Sequence, residues 1–202
     1  MAYKVFYFPG RGRVEHIRVL LHEVDQPFEN VVVKRDELME MKKQGPATLP
    51  FGALPIIHDD DVVLAQSNVI LGYLGRKHGL APSDPISLAR ADALCFGAED
   101  MRSKYFGVFG DDSETKMAEF VETLWRGRWL PNFAGLLELN GNTGYFVGDS
   151  FTYADIAVWD ALDGVLRYVT HASLDGFPTL QSFYDSVGAR PRIKAYVDSR
   201  TD

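Results

Sequence analysis

Tyr3 to Phe8 (YKVFYF) is a run of β-branched and aromatic residues interrupted only by Lys4, a strand signature that the turn residues Pro9-Gly10 bring to an end. Alternation puts Tyr3, Val5 and Tyr7 on one face and Lys4, Phe6 and Phe8 on the other. From Arg13 the period becomes helical, with Val14, Ile17, Leu20, Leu21 and Val24 forming one apolar face. Tyr7 therefore stands where a strand hands over to a helix. Val31 to Val33 predict a second strand, and Asp36 to Lys43 a short helix or loop stopped by Gly45-Pro46. Ile56-Ile57 and Val62-Val63-Leu64, separated by the acidic tip His58 to Asp61, predict two short strands joined by a tight turn. Gln66-Ser67-Asn68 then leads into Val69, Ile70, Tyr73 and Leu74 at helical spacing, with Gly79 as the stop. The order β-α-β-α-β-β-α predicts a small sheet with helices packed on it.

Ala81 to Pro85 holds two prolines and marks a linker, after which the pattern is helical throughout. Leu88 to Phe109 and Thr115 to Leu139 are long helical patterns, joined to the rest by a glycine-containing connection from Gly141 to Gly148. Thr152 and Asp155, ahead of Ile156, Ala157 and Trp159, have the form of a capping box with Asp in place of Glu or Gln. Further helices are expected from Phe177-Pro178 to Tyr196.

Charge narrows the partners. The chain of 202 residues has a formal net charge of -7, which argues against nucleic acid, because affinity for phosphate backbones comes from clustered Lys and Arg. Residues 1–81 hold 10 basic and 10 acidic groups and the remainder 11 and 18, so the excess lies wholly in the second part. There is no apolar run of the ~18 residues a membrane helix needs, and MAYKVFYFPGRGR lacks the apolar core of a signal peptide, so a cytoplasmic location is expected. A lone cysteine, Cys95, excludes an intrachain disulfide and a Cys-x-x-Cys centre; beside Leu94 and Phe96 it reads as a small core residue.

Pro55 falls at the entrance of the Ile56-Ile57 strand, a place where proline is tolerated and where backbone can be presented. A helix starting at Gln66-Ser67 offers free N–H groups to an anion and a hydroxyl to a carboxylate. Taken alone, Gln66-Ser67 reads as a helix cap and Tyr7 as a core tyrosine.

The whole run from Leu49 to Gly79 resembles the glutathione site of the thioredoxin-like domain in cytosolic glutathione transferases. Tyr7-Phe8-Pro9-Gly10-Arg11-Gly12-Arg13 is similar to the pi and sigma classes of that family, and Gly148 to Asp155 to the folding motif of its helical domain. The resemblance implies an α/β thioredoxin-like domain over residues 1–81, a linker over 82–87 and an all-α domain over 88–202. It also implies a site. Leu54, before a cis Pro55, would pair its backbone with the cysteinyl part of glutathione, Gln66 and Ser67 would grip the γ-glutamyl end, and Lys42 the glycine carboxylate. Tyr7 would activate the thiol, with Arg13 in electrostatic support. Asp100 would reach the partner subunit's glutathione, and Phe51 would be an aromatic key inserted into the other subunit, so a homodimer is expected. Phe8, Phe106, Phe109 and Gly110 would line an electrophile pocket. Two departures stand out: no tryptophan precedes Lys42, and Gly110 occupies the position of a pi-class tyrosine.

Tyrosine suits the implied task. An ordinary thiol titrates near ~8.5, so little thiolate exists at neutral pH, and a neutral hydroxyl aimed at sulfur stabilises the thiolate while keeping its own proton up to about pH 10. The implied activity is conjugation of glutathione, as co-substrate and without a metal, to small hydrophobic electrophiles. A glutathione-dependent isomerase and a non-catalytic ligand-binding or structural relative stay open.

Overall fold

The computed structural model describes residues 2–201. An α/β thioredoxin-like part is followed by helices, and contacts group the chain into two units. One runs up to Leu80 and takes in the segment from Pro191 onward; the other is Ala81–Arg190.

In the first unit, β1 (Tyr3–Tyr7), β2 (Phe28–Val32), β3 (Ile56–Asp59) and β4 (Val62–Ala65) form one sheet in the order β2-β1-β3-β4. β1 runs parallel to β2, which requires the crossover helix α1 (Glu15–Glu23), and antiparallel to β3, which the Asp59–Val62 turn pairs with β4. β2 begins at Phe28, ahead of the expected Val31, because its register with β1 starts at Tyr3↔Phe28. α2 (Arg35–Lys43) buries none of its residues, and α3 (Ser67–Lys77) packs Ile70, Leu71 and Leu74 into the core with Val5, Ile56 and Ile57.

Away from the helix N-terminus, α3 is tied to the sheet by Asp59, which accepts hydrogen bonds from Tyr73 and from Lys77, the latter at 2.5 Å. Burial pushes the Asp59 carboxyl up, but the bonds from Lys77 and Tyr73 outweigh it and hold the group below its ordinary range.

α1 departs from the expected single apolar stripe. Beside Ile17, Val19, Leu20 and Leu21 it also buries Glu15, His16, Arg18 and Glu23. For Glu15 and Glu23 the cause is α9 (Pro191–Ser199), expected with the helical part of the chain, whose contacts lie with α1: Tyr196 donates to Glu15 at 2.9 Å and stacks on His22 at 4.1 Å, and Arg192 donates to the Glu23 carbonyl at 3.2 Å.

The second unit is all helical. α4 (Pro85–Phe106) starts inside the expected linker: Pro85 fills its first turn and the Asp84 carboxylate accepts from the N–H groups of Ile86 and Ser87 at 3.1 and 2.9 Å. α5 (Ser113–Glu119) and α6 (Leu130–Leu139) are joined by Phe120–Trp129, which is wound more widely, as a π-helix. α7 (Tyr153–Tyr168) is buried along most of its length, and α8 (Pro178–Gly188) follows it. The capping box is formed: Asp155, fully buried, accepts from Thr152 N and Oγ1 and from Phe146 N at 2.7, 3.0 and 2.9 Å. Arg102 of α4, 1% exposed, binds Asp160 of α7 at 2.5 Å and Glu99 at 2.9 Å, so the two helices share a buried ionic contact. Cys95 is buried, and its thiol is pushed up by that burial.

Candidate active site

The sheet registers bring distant residues to one end. Phe6 pairs with Ile56 and Ile56 with Ala65, so the residues that continue this row, Tyr7, Pro55 and Gln66, emerge together. The Leu54–Pro55 peptide bond is cis, Pro55 is buried and Leu54 is half-buried. Gln66 is exposed and sits at φ 71°, a conformation rare for a residue with a side chain and one that recurs at ligand sites. Ser67 follows as the first residue of α3, 7% exposed, with no acidic residue in that first turn. His16 of α1, wholly buried, contacts the Ser67 carbonyl through Nε2 at 3.3 Å and so links the two helix starts.

Tyr7 is half-buried, and its hydroxyl accepts the Arg13 backbone N–H at 3.1 Å. That leaves the phenolic proton to be donated. Gly12 explains how the hydroxyl fits: a Cβ there would lie 2.6 Å from the Tyr7 oxygen, and its φ of 51° suits glycine. Phe8 packs edge-on against Tyr7 at 5.5 Å. Lys42 is exposed in the last turn of α2, with its stem beside Gly52: a Cβ on that glycine would be 3.8 Å from Lys42 Cε.

The glutathione S-transferase N-terminal domain family matches residues 1–76, and the glutathione S-transferase C-terminal domain family matches residues 99–200. The human glutathione S-transferase P is 35% identical over 98% of this chain and 92% of its own length. Glutathione S-transferase 2 of Onchocerca volvulus is 32% identical over 99% and 94%. The solved pi-class glutathione S-transferase of Onchocerca volvulus superposes with a TM-score of 0.89, covering 99% of this chain and 94% of that one at 32% identity. At 25% identity, prostaglandin synthase D of Nilaparvata lugens matches over the full length of both chains with a TM-score of 0.81.

The chain belongs to the glutathione S-transferase family. Membership makes it a transferase that uses glutathione, and the pi-class members are its relatives.

In this glutathione S-transferase the second unit carries Asp100, exposed on α4, together with Phe106, half-buried at the end of that helix, and the exposed Phe109 and Gly110. Gly110 has φ 104° and open space where a Cβ would be, so backbone conformation and not crowding favours glycine there. Phe106 and Phe109 both pack against Tyr105, at 4.7 and 6.3 Å. Phe51, in the first unit, is 69% exposed. In the second unit a cavity of about 730 Å³ opens between α4 and α6, lined by Ala93, Leu94, Gly97, Trp129, Pro131 and Leu136 among others. The Trp129 indole N–H is buried there without a partner among the described residues.

Sequence reasoning missed Gly12, Glu15, His16 and Arg18. The only signal was charge and imidazole so close to the start of an apolar helix, and it acquires meaning once α9 covers Glu15 and α3 meets His16.

Proposed function

We propose that the protein conjugates glutathione to small hydrophobic electrophiles, with Tyr7 as the thiol-activating residue. The observation that carries this is the Tyr7 hydroxyl, engaged as an acceptor by Arg13 N–H at 3.1 Å, with no acceptor for its own proton among the described residues. Glutathione lies along the row that ends in Leu54, Pro55 and Gln66. Its cysteinyl backbone pairs with Leu54, its γ-glutamyl carboxylate takes the Ser67 hydroxyl and α3 N-terminus with Gln66, and its glycine carboxylate takes Lys42. Arg13 adds positive charge. Tyr7 donates to the sulfur; the thiol proton leaves to solvent; the thiolate pair forms the new C–S bond as the leaving group departs with its own electrons. A hydrogen bond to a charged group is worth about 1.5–3 kcal/mol, and a pKa unit about 1.4 kcal/mol, so Tyr7 lowers the thiol by roughly one to two units.

The test is conjugation to an aryl halide by the wild type and by Tyr7→Phe, with glutathione affinity measured in parallel. The variant is expected to bind glutathione and lose rate by about 8–25-fold at neutral pH. A wild type that binds glutathione and converts no electrophile would overturn conjugation, and one that does not bind would overturn the site. Likeness to a prostaglandin synthase favours a second reading, isomerisation through the same thiolate, so the substrate panel includes isomerisation substrates.

The assembly we propose is a homodimer in the cytoplasm. Phe51 is a large apolar side chain left 69% exposed, and the α4–α6 cavity has the apolar lining to receive it from a second copy, whose backbone carbonyls can meet the Trp129 N–H. Asp100 then serves the partner's glutathione amine. Phe8, packed edge-on against Tyr7, borders the electrophile. No helix among the described residues is long and apolar enough to cross a membrane.

A further inference from the structure

The loop between β1 and α1 carries Gly10 at φ 94° and Gly12 at φ 51°. Glycines give such a segment its conformation and also leave it free to abandon it. Something outside the loop has to hold it if the Tyr7 hydroxyl is to stay in one place.

Glu15, the first residue of α1, is 2% exposed, and three groups converge on it: Arg18 Nη1 donates at 3.3 Å, the Tyr196 hydroxyl donates at 2.9 Å, and the Arg200 guanidinium pairs with it by charge, Nη2 lying at 2.8 Å. Arg18 then reaches the loop itself. Its Nη1 donates to the Gly10 carbonyl at 2.8 Å, while Nε and Nη2 donate to Asn30 Oδ1 at 3.1 and 3.0 Å. The contacts therefore run from the last helix through Glu15 and Arg18 to Gly10, two positions before the glycine that abuts the Tyr7 hydroxyl. Each link is stiff. A buried carboxylate is expensive to leave unpaired, which keeps its donors in place, and stacking on His22 at 4.1 Å aims the Tyr196 hydroxyl. The Arg200 guanidinium lies over the Tyr196 ring at 4.8 Å.

We infer that Glu15, Arg18, Tyr196 and Arg200 are positioning residues for Tyr7, so that the last helix clamps the Gly10–Arg13 loop and sets how strongly the glutathione thiol is activated. The inference rests on the reading of Tyr7 as the thiol activator. Its mechanism is geometric. The loop supplies both the Arg13 N–H that holds the hydroxyl and the bare Gly12 that makes room for it, and hydrogen bonds weaken steeply beyond about 3.5 Å.

The experiment compares Tyr196→Phe, which removes one hydroxyl, with Arg200→Gln and the double variant. The readouts are the pKa of enzyme-bound glutathione from thiolate absorbance, kcat and KM for glutathione, and thermal stability. The double variant is expected to raise the thiol pKa by about one unit, roughly a three- to eightfold loss of thiolate at neutral pH, with kcat falling in step and KM for glutathione changing less than about twofold. Arg200→Lys, which keeps the charge, is expected to recover most of the shift. Arg192→Gln is the control: it sits on the same helix and binds the Glu23 carbonyl and Asp25, so it is expected to lower stability and leave the thiol pKa alone. A thiol pKa that rises in Tyr7→Phe and stays put in Tyr196→Phe and in the double variant overturns the clamp and leaves the Tyr7 reading standing. An Arg192→Gln shift as large as that of Arg200→Gln overturns it as well, and a Tyr7→Phe enzyme with an unmoved thiol removes both.

Discussion

Adding one methyl group at Gly12 tests the heart of the site without touching Tyr7. In Gly12→Ala the new Cβ would lie 2.6 Å from the Tyr7 oxygen and 3.0 Å from Cε1, whereas ordinary contact begins near 3.4 Å. The hydroxyl must retreat by the difference, 3.4 − 2.6 = 0.8 Å. A hydroxyl that met sulfur at about 3.2 Å would then stand near ~4.0 Å, at the outer limit of a hydrogen bond to sulfur. Losing a bond to a charged acceptor costs about 1.5–3 kcal/mol, which raises the thiol by roughly one to two units and removes about 8–25-fold of the thiolate, and with it the rate, at neutral pH. Alanine at φ 51° adds about 1–2 kcal/mol of backbone strain, or roughly 2–8 °C in Tm for a chain of this size. The assay is the pH dependence of bound thiolate absorbance beside kcat/KM for an aryl halide, with calorimetry for stability. A folded Gly12→Ala enzyme with the wild-type thiol pKa and rate would refute the placement of the hydroxyl against Gly12.

Three further outcomes are expected. Asp155→Ala strips the acceptor from two buried N–H groups, at about 1–3 kcal/mol each, and should lower Tm by roughly 10 °C with little change in KM for glutathione; a change near zero by calorimetry would mean the box is dispensable. Phe51→Ser should yield a monomer in sedimentation with reduced turnover per chain, and an unchanged dimer would remove Phe51 as the key. Burial, with Lys4 close by, lowers the His58 pKa below its ordinary 6.5. The unfolded chain therefore takes up the proton first, and stability should rise as pH increases through the window below 6.5 and level off above it. His58→Gln should flatten that slope in unfolding titrations, and an identical slope would contradict it.

The strand-to-helix handover at Tyr7, the hairpin entered by Pro55 and the helix starting at Ser67 were all legible, because each depends on local turn chemistry and on periods of two and 3.6. The Thr152 box was legible for the same reason: its donors lie within three residues of Asp155, apart from Phe146 N. What stayed hidden depends on contacts far apart in sequence. Periodicity gave α1 one apolar face, and nothing in Glu15 or Arg18 announced that Tyr196 and Arg200, beyond a whole set of intervening helices, return to bury the other. The early start of α4 was hidden differently. Two prolines read as a linker, yet Pro85 with Asp84 before it is also a good first turn. The widened turns of Phe120–Trp129 were hidden because a period of 3.6 is expected from Thr115 to Leu139, whereas the buried residues of this stretch, Phe120, Trp125 and Trp129, are spaced by five and four.

The sheet order leaves β2 and β4 at the two margins, each with one side of its backbone unpaired within the sheet. Such margins can recruit a stranger's strand, and both here carry an exposed valine, Val32 and Val62. Each also carries acid: Glu29 lies on β2, and Asp60 and Asp61 sit at the tip that leads into β4, itself only Val62–Ala65. Two such margins approaching one another in concentrated solution meet charged groups, the Glu29–Lys4 pair beside β2 and the carboxylates of the tip beside β4, before they meet valines. The acidic hairpin tip, remote from the thiol chemistry at the other end of the same strands, thus acts as a gatekeeper of colloidal stability, and a neutral tip would be expected to shorten the time the protein stays clear at high concentration.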